Sequence, residues 1–350
     1  MAAFLFWMAI VLVGYSYVIY PIVVALLARL APQPLQHGKA PAPADAPAAA
    51  CVIAAFNEEN VVAARVANVL AQSYPAAKLT LYIASDGSRD RTGEIVSELA
   101  GPRVRAFAFA TNRGKATVLN ELVATANEDI LVFSDANTMF EPDAIARLVA
   151  RFDDPRVGVV CGELRLLASN GSNQDSAYWR MEQFLKRCEA RIGGLLGANG
   201  GIYAGRRTAY RPIASTTIVD DFCIAMTAAA EGWKLVYEPA AVAIEDTPDQ
   251  VSDEYRRRVR IGIGNYQALF RHPEYLMRTN APTRFAYVSH KVLRWLTPHL
   301  MIVALVASAV LGASSPFYAA VFAAQLAVYA AAAAVWYFGA ERRLPRLAAM

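Results

Sequence analysis

Residues Phe4–Leu30 form an apolar stretch that contains no charged side chain before Arg29. A helix of about 20 to 25 residues is long enough to cross a hydrocarbon layer of about 30 Å. A cleavable signal peptide would instead place basic residues ahead of a shorter apolar run. Because no basic residue precedes Phe4, we expect residues 4–30 to be a retained N-terminal transmembrane helix.

A second apolar block lies towards the C-terminal end, and hydrophobic residues make up 56% of the whole chain. It contains two candidate spans, Thr297–Leu311 and Phe317–Phe338, and an earlier start of the first span near Val288 stays open. These spans predict a transmembrane hairpin over residues 291–340, followed by a basic tail over residues 341–350.

Basic residues flank the candidate spans on the sides that face the central region and the tail. They are Arg29, Lys39, Arg284, Lys291, Arg294, Arg342, Arg343 and Arg346. Positive charge close to the ends of spans tends to remain in the cytoplasm. The pattern therefore predicts an integral protein of the cell inner membrane or plasma membrane, with its N-terminus outside and its central domain and tail in the cytoplasm.

Residues 31–50 are rich in proline and alanine and predict a semi-rigid linker. In residues 51–250, short apolar runs alternate with amphipathic stretches, which predicts an α/β domain with a mostly parallel sheet. The predicted strands are Cys51–Ala55, Leu79–Ala84, Val104–Ala108, Ile130–Ser134 and Val157–Gly162. The predicted helices are Val61–Gln72, Thr92–Leu99, Lys115–Ala126 and Pro142–Arg151.

Charge and cysteine content argue against a nucleic-acid-binding protein and against a cysteine-based metal site. The formal net charge of +4 is too small to indicate nucleic-acid binding. The cysteines show no spacing typical of a metal site, and they predict reduced, structural thiols. They are Cys51, Cys161, Cys188 and Cys223.

Polar residues follow the first two predicted strands. Asn57 and Glu58 follow the first strand and Asp86 follows the second. In open α/β sheets, ligands bind at the carboxyl ends of the strands, so these side chains are candidate ligand contacts. The alternatives are that Asn57 caps the next helix and that Asp90 caps the helix after Asp86.

Two further segments contain groups suited to a diphosphate. Lys115 opens a predicted helix, a setting that favours phosphate, although a solvated basic turn is the alternative. Asp135 and Asn137 follow the apolar strand Ile130–Phe133. Oxygen ligands at this spacing suit a divalent cation, Mg²⁺ or Mn²⁺, that bridges a diphosphate, and an Asx turn capping the next helix is the alternative.

A glycine-rich segment and an acidic pair come next. The density of glycine around Asn199 and Gly200 permits close approach of backbone to a ligand, or else a mobile loop. Asp220 and Asp221 precede an alanine-rich helix. Adjacent carboxylates can divide acid and base roles through different pKa values, and a charged helix N-terminus is the alternative.

An arginine-rich, amphipathic stretch occupies residues 251–290. Arg257 and Arg260 can bind a diphosphate bidentately or can bind anionic lipid. Four aromatic residues in this stretch favour a helix that lies along the membrane surface. They are Tyr266, Phe270, Tyr275 and Phe285.

The order and spacing of these motifs from Ala50 to Gln267 resemble family 2 glycosyltransferases, in particular the membrane-integrated synthases related to cellulose, chitin and hyaluronan synthases. The resemblance implies a GT-A-type nucleotide-sugar-binding domain flanked by transmembrane helices. It also implies a nucleotide-sugar donor, usually a UDP-sugar, a divalent cation, a lipid-linked or glycan acceptor and contact with membrane lipids. It does not give an oligomeric state.

The resemblance assigns a role to each candidate residue. The base that deprotonates an acceptor hydroxyl in an inverting displacement would be Asp221. The metal would be held by Asp135 and Asn137. The donor would be bound by Asn57, Glu58, Asp86, Lys115, Asp135, Arg257 and Arg260. The acceptor would be bound by Asn199, Gly200 and Asp220.

There are two departures from the family pattern, of which the first bears on the strength of metal coordination and the second on the length of the product. Asn137 replaces the usual second aspartate of the Asp-x-Asp motif. In the Gln-x-x-Arg-Trp motif of processive synthases, Arg257 replaces the glutamine and Ile261 replaces the tryptophan. We therefore expect transfer of one or several sugars in cell-envelope or exopolysaccharide synthesis. A processive polysaccharide synthase and a catalytically inactive membrane scaffold are the alternatives.

Overall fold

The structure is a computed structural model that describes residues 1–31, 45–167, 177–246 and 251–337. The predicted tail and most of the predicted linker lie outside these residues. The chain divides into two compact units. One unit contains Met1–Leu26 and the residues from Tyr287 onwards, and the other contains Leu27–Ala286.

The larger unit is built on one mixed sheet of eight strands, in the order β3-β2-β1-β4-β7-β6-β8-β5. The strands are β1 Ala49–Ala55, β2 Leu79–Asp86, β3 Val104–Phe109, β4 Ile130–Asp135, β5 Thr138–Phe140, β6 Val157–Leu167, β7 Tyr203–Arg206 and β8 Lys234–Asp246. Strands β3, β2, β1 and β4 are parallel to one another, and so are β6 and β8, whereas β7 and β5 are antiparallel to their neighbours. The predicted α/β class with a mostly parallel sheet is confirmed.

Among the described residues, helices alternate with these strands in the larger unit, and the elements that follow β8 are all helical. They are α1 Ala2–Gly14, α2 Tyr20–Leu30, α3 Val62–Leu70, α4 Thr92–Glu98, α5 Lys115–Thr125, α6 Ala144–Ala150, α7 Ala177–Arg191, α8 Asp220–Ala230, α9 Val251–Arg271, α10 Glu274–Met277, α11 Ala281–Ala286, α12 Leu293–Gly312 and α13 Pro316–Tyr337. Short 3₁₀ turns cover Ala76–Lys78, Arg151–Asp153 and Arg207–Ala209, and π-helical turns cover Tyr15–Ile19 and Tyr287–Val292.

The central strands are apolar at nearly every position because both faces of the sheet are covered. Side chains of a strand alternate between faces. Cys51 and Ile53 of β1 therefore join the core under α3 and α6, whereas Val52 joins the core under α5 and α8. Near-continuous apolar runs are typical of such doubly covered strands. All four cysteines lie buried in this unit as free thiols.

Three helices of the described residues are long and apolar enough to cross a membrane: Ala2–Leu30, Ala281–Gly312 and Pro316–Ala334. The smaller unit contains most of the first two and, among the described residues, all of the third. Within this unit, Phe6 and Ala9 of α1 pack against Ala304 and Ala307 of α12. The hydroxyls of Tyr15 and Ser289 lie 2.9 Å apart, in the two π-helical turns. Helices α12 and α13 also pack together, where the Gln325 side-chain amide donates to the Ser308 hydroxyl at 3.1 Å.

Gly87, which follows β2, is the glycine whose replacement has the clearest cost. Its φ is +65°, and a Cβ atom there would lie 2.2 Å from the Asn112 backbone nitrogen. Backbone atoms cannot yield as the end of a flexible side chain does, so we expect Gly87→Ala to destabilise the domain by at least about 2 kcal/mol. Thermal unfolding should show a Tm lower by several degrees.

The matched control for this prediction is Gly101→Ala. Gly101 has no atom within 4 Å of the added Cβ position and no positive φ. We expect its Tm to stay within about 2 °C of wild type, the range of an unstrained surface substitution. Equal Tm values for the two variants would contradict the steric explanation.

Candidate active site

A cleft of about 660 Å³ opens at the carboxyl ends of β1, β2 and β4, next to the start of α8 and one face of α9. The sheet order changes direction at β1, between β2 and β4, which is where open α/β sheets bind ligands. The residues that line the cleft are Ala54, Ala55, Phe56, Glu58, Asp86, Asn112, Gly114, Lys115, Asp135, Ala136, Asn137, Leu164, Gly200, Gly201, Ile218, Val219, Asp220, Asp221, Glu245, Arg257, Arg260 and Ile261.

Asn57 joins the loop after β1 to the loop after β2. Its backbone N–H donates to the Ser88 hydroxyl at 3.1 Å, and its side-chain oxygen accepts from the Arg89 backbone N–H at 2.9 Å. Its φ of +57° lies in the left-handed region, which asparagine tolerates better than most residues. The cleft lining includes Glu58 but not Asn57, and α3 begins at Val62 without a side-chain cap.

Asp86 holds the turn that leads into α5. Its two carboxylate oxygens accept from the backbone N–H groups of Arg113 at 2.8 Å and Gly114 at 2.9 Å. Its backbone carbonyl accepts from the Asn112 side chain at 3.0 Å. Asp86 therefore fixes the place where α5 begins, and with it the position of Lys115.

Lys115 forms the cationic centre of the cleft. Its Nζ lies 2.7 Å from Asp135 Oδ1 and 3.2 Å from Asp220 Oδ2. Burial disfavours the charged ammonium, but the carboxylates of Asp135 and Asp220 outweigh it and raise the pKa of Lys115 above its usual value. Lys115 therefore stays positively charged at physiological pH.

Asp135 is held as an anion by the cations around it. Burial raises its pKa, but Lys115, Arg257 and Arg260 act in the opposite direction, and the net effect lowers the pKa of Asp135. Arg257 and Arg260 also line the cleft, so their positive charge faces the same space. This combination suits a ligand with several negative charges.

The pKa of Asp221 is shifted in the opposite direction from that of Asp135. Burial, followed by the negative charge of Asp220, raises the pKa of Asp221 to about 6. The Asp221 side chain accepts from the Phe222 backbone N–H at 2.8 Å, at the start of α8. A carboxylate with a pKa close to neutral can accept a proton and then release it, which is the property required of a general base.

Gly200 lies close to both Asp221 and Asp135. A Cβ atom at Gly200 would lie 3.4 Å from Asp221 Oδ2 and 3.5 Å from Asp135 Oδ2. Both carboxylates therefore lie close to the same piece of backbone, and a side chain at position 200 would contact both of them.

Asn199 lies behind this backbone rather than in the cleft lining. Its side-chain amide donates to the Gly162 carbonyl at 2.7 Å, and its side-chain oxygen accepts from Lys186 Nζ. Asn199 is buried, and it contributes to the site by holding the glycine-rich segment against β6.

Glu245, at the end of β8, is a charged residue of the cleft that the sequence did not single out. Burial and the nearby Asp135 raise the pKa of Glu245, and the positive charge of Arg257 opposes that rise. The Asn137 side chain hydrogen bonds to Glu245, which directly opposes Thr138 in the β5–β8 pair. Asn137 is thus followed by the short strand β5 and does not cap a helix.

The donor set can accept a hard divalent cation only with help from a ligand. Among the described residues, no group of three His, Cys, Asp or Glu side chains is placed to hold a metal ion. Asp135 presents one carboxylate to the cleft. Mg²⁺ is commonly held by one or two carboxylates together with phosphate oxygens of the substrate, and this arrangement fits that pattern.

The sequence comparisons match part of the domain that carries this cleft. Residues 50–213 match the profile described as Glycosyl transferase family 2. Poly-beta-1,6-N-acetyl-D-glucosamine synthases of Staphylococcus aureus and Staphylococcus epidermidis are 26% identical over 228 residues, which is 63% of this chain and 55% of each relative. The chain thus spans about half the length of the curated relatives it matches.

A solved structure shares the fold over most of the chain. It is the mannosyltransferase PcManGT from Pyrobaculum calidifontis in complex with GDP-Man and Mn²⁺. The TM-score is 0.73 at 21% sequence identity, and the match covers 93% of this chain and 92% of the other. This likeness confirms the predicted GT-A-type fold, and within it residues 50–213 are similar to glycosyl transferase family 2.

Proposed function

We propose that the chain is an inverting glycosyltransferase that transfers a sugar from a nucleotide-diphosphate sugar to a hydroxyl of a lipid-linked or polysaccharide acceptor. The observation that carries this proposal is the convergence of Asp135, Lys115 and Asp221 on one cleft, with Gly200 close to both carboxylates. The family 2 domain and the polysaccharide synthases among the relatives support a role in cell-envelope or exopolysaccharide synthesis.

In the proposed reaction, Asp221 accepts the proton of the acceptor hydroxyl. The hydroxyl oxygen then attacks the anomeric carbon from the side opposite the nucleotide. The bond between that carbon and the diphosphate oxygen breaks with its electron pair, so the configuration is inverted and the nucleoside diphosphate leaves as an anion. Removing one proton in this way typically contributes about 10²- to 10⁴-fold in rate.

Positive charge supports departure of the nucleotide. Arg257 and Arg260 line the cleft and can pair with phosphate oxygens, which guanidinium groups match bidentately. We further propose that Asp135, with Asn137 beside it, holds a divalent cation together with the diphosphate. Such a cation supplies charge neutralisation to the leaving group. The Mn²⁺ in the complex of the mannosyltransferase PcManGT is consistent with this proposal.

The reaction class can be tested by nucleotide release from the full chain in detergent. The panel of donors should include UDP-N-acetylglucosamine, other UDP-sugars and GDP-mannose, each with Mg²⁺ or Mn²⁺ and each with a chelator. We expect release of one nucleoside diphosphate, and loss of that release with the chelator. Tight nucleotide binding without release would indicate a missing acceptor. Neither binding nor release would favour an inactive scaffold and contradict the proposal.

We also propose that the three apolar spans cross a membrane and that α9 to α11 rest on its cytoplasmic surface. Phe270 and Met277 are 77% and 70% exposed, and both are large apolar side chains in a segment rich in arginine. Tyr275 does not share this face. Its ring is fully buried and stacks on His272 at 4.8 Å, so the expectation of an interfacial Tyr275 is wrong.

This membrane contact predicts a loss of binding in a charged variant. In a fragment of residues 27–286, Phe270→Glu with Met277→Glu should weaken binding to anionic liposomes at least tenfold. Moving one large apolar side chain from water into the membrane contributes about 1.5 to 3 kcal/mol to the free energy of binding, and about 1.4 kcal/mol corresponds to a tenfold change in affinity. The control carries Ala63→Glu with Ala67→Glu, which add the same charge to exposed positions of α3. Equal co-sedimentation of the two variants would contradict the proposed orientation.

A further inference from the structure

Arg65, on α3, is the largest fully buried side chain of the described residues, and it does not line the cleft. Taking a guanidinium out of water costs several kcal/mol, and an apolar residue of similar volume is often equally stable or more stable in such a place. Stability alone therefore does not account for an arginine here. Its contacts lead instead towards the active site.

The guanidinium is held from the side of β5. Arg65 Nη1 donates to Asn68 Oδ1 at 2.5 Å, and the guanidinium carbon lies 4.1 Å from the centre of the Phe140 ring. Asn68 is itself fixed, because its amide donates to the Phe140 carbonyl and its oxygen accepts from the Phe140 N–H, both at 2.9 Å. These contacts leave the second terminal nitrogen of the guanidinium, Nη2, directed at β4.

The partner of this nitrogen is Ser134, the residue before Asp135. Arg65 Nη2 donates to Ser134 Oγ at 2.8 Å. A serine hydroxyl has one proton, and Ser134 Oγ lies 2.7 Å from the Gly201 carbonyl, to which it donates. The bonds therefore run in one direction, from Arg65 to Ser134 and from Ser134 to Gly201.

The hydrogen bond from Ser134 to Gly201 joins two residues that are each covalently next to a residue of the cleft. Ser134 precedes Asp135, and Gly201 follows Gly200. A Cβ atom at Gly200 would lie within 3.5 Å of the carboxylates of both Asp135 and Asp221. The Ser134–Gly201 hydrogen bond therefore ties β4, which carries Asp135, to the backbone beside Gly200, a position close to both carboxylates.

We propose that Arg65 is a positioning residue that acts through Ser134 to hold Asp135 and Gly200 in register across the cleft. This role rests on the proposed function. A misplacement of about 1 Å between reacting groups can cost about 10²-fold in rate without contact with the substrate. Arg65 would therefore affect turnover more than donor binding.

The test compares four variants of the full chain in detergent: Arg65→Met, Arg65→Lys, Ser134→Ala and Arg151→Met. Arg151 is the matched control, because it is also a buried arginine of this domain, paired with Glu238 at 3.2 Å, and does not line the cleft. We expect Arg65→Met to lower kcat by about tenfold or more with a donor KM within about threefold of wild type. Arg151→Met should lower Tm and leave kcat within about twofold.

Two further comparisons separate the network from general loss of packing. Lysine keeps the charge but not the fork, so Arg65→Lys should recover only part of the turnover lost in Arg65→Met. The double variant Arg65→Met with Ser134→Ala should be no slower than the slower single variant, because the two residues act in one chain. A wild-type kcat in Arg65→Met, or equal losses of kcat in Arg65→Met and Arg151→Met, would overturn the proposal.

Hydrogen exchange of a peptide that covers residues 199–206 supplies a readout that needs no activity. Arg65→Met should speed exchange in this peptide, and Arg151→Met should not. If wild-type protein releases no nucleotide from any donor, faster exchange in Arg65→Met alone would support the link to the glycine-rich segment while the proposed function fails. Unchanged exchange in Arg65→Met would overturn the link itself.

Discussion

Replacing Asp221 with asparagine is expected to lower sugar transfer by about 10³-fold, within the range of about 10²- to 10⁴-fold for a lost general base. Asparagine has nearly the same shape as aspartate but cannot accept the proton of the acceptor hydroxyl. Donor binding should change little, because the positive charges proposed to bind the diphosphate belong to other residues of the cleft, Lys115, Arg257 and Arg260. Transfer would be measured by nucleotide release, and binding by titration with the donor.

The wild-type pH dependence supplies an independent check of the same assignment. Because the pKa of Asp221 is raised to about 6, the base is protonated and inactive below that pH. Transfer should therefore fall as the pH drops through about 6 and stay high above it. The control is Asp143→Asn, an exposed carboxylate paired with Arg147, which should keep the wild-type profile. Normal turnover in Asp221→Asn would exclude Asp221 as the base.

Lys115→Met is expected to lower kcat/KM by about 100-fold or more, the order of loss when one buried electrostatic contact of a transition state is removed. The variant leaves Asp135 and Asp220 without the ammonium that lies within 3.2 Å of both. Lys115 also opposes the rise in the pKa of Asp221, so its loss should move the acidic limb of the pH profile to higher pH.

The matched control for this variant is Lys234→Met. Lys234 pairs with Asp154 on the surface at 3.3 Å, so its removal should leave both the rate and the pH profile unchanged. A Lys115→Met variant that loses activity but keeps the wild-type acidic limb would mean that Lys115 does not influence Asp221. A variant with wild-type activity would exclude Lys115 from the site.

The parallel half of the fold could be predicted because its sequence pattern is local. Strands β1 to β4 are apolar runs bounded by polar turns, and the rule that ligands bind at the ends of strands identified Asp86 and Asp135. Both residues line the cleft. The start of α8 at Asp220 could be predicted for a similar reason, because a carboxylate pair before an alanine-rich run is typical of a helix N-terminus.

The remainder of the sheet, which mixes parallel and antiparallel pairs, could not be predicted in the same way. Strand β7 has the sequence Tyr203-Ala204-Gly205-Arg206, in which glycine and alanine obscure any alternation, and its pairing with β4 depends on residues distant in sequence. Glu245 was missed because β8 was not recognised as a strand. Its signal was the apolar run Val242–Ile244 followed by acid, the same pattern that identified Asp135.

Roles inside the site were harder to predict than membership of it. Asn57 has the residue type and place of a ligand contact, yet its hydrogen bonds go to the loop of Ser88 and Arg89. Likewise, both carboxylate oxygens of Asp86 accept hydrogen bonds from the backbone N–H groups of Arg113 and Gly114. A sequence shows which polar groups arrive at a strand end, but which of them bind backbone depends on how neighbouring loops meet.

The burial of all four cysteines has a practical consequence for chemical labelling. Their thiols are inaccessible, and burial raises the pKa of Cys51 and of Cys223 to about 11, so little thiolate is present at neutral pH. Thiolate is the form that reacts with maleimides. A single cysteine introduced at an exposed position would therefore stand out without removal of the native ones. Placed at Phe270 or Ala63, it would let a membrane-impermeant maleimide report which face of the membrane the catalytic domain occupies in intact cells.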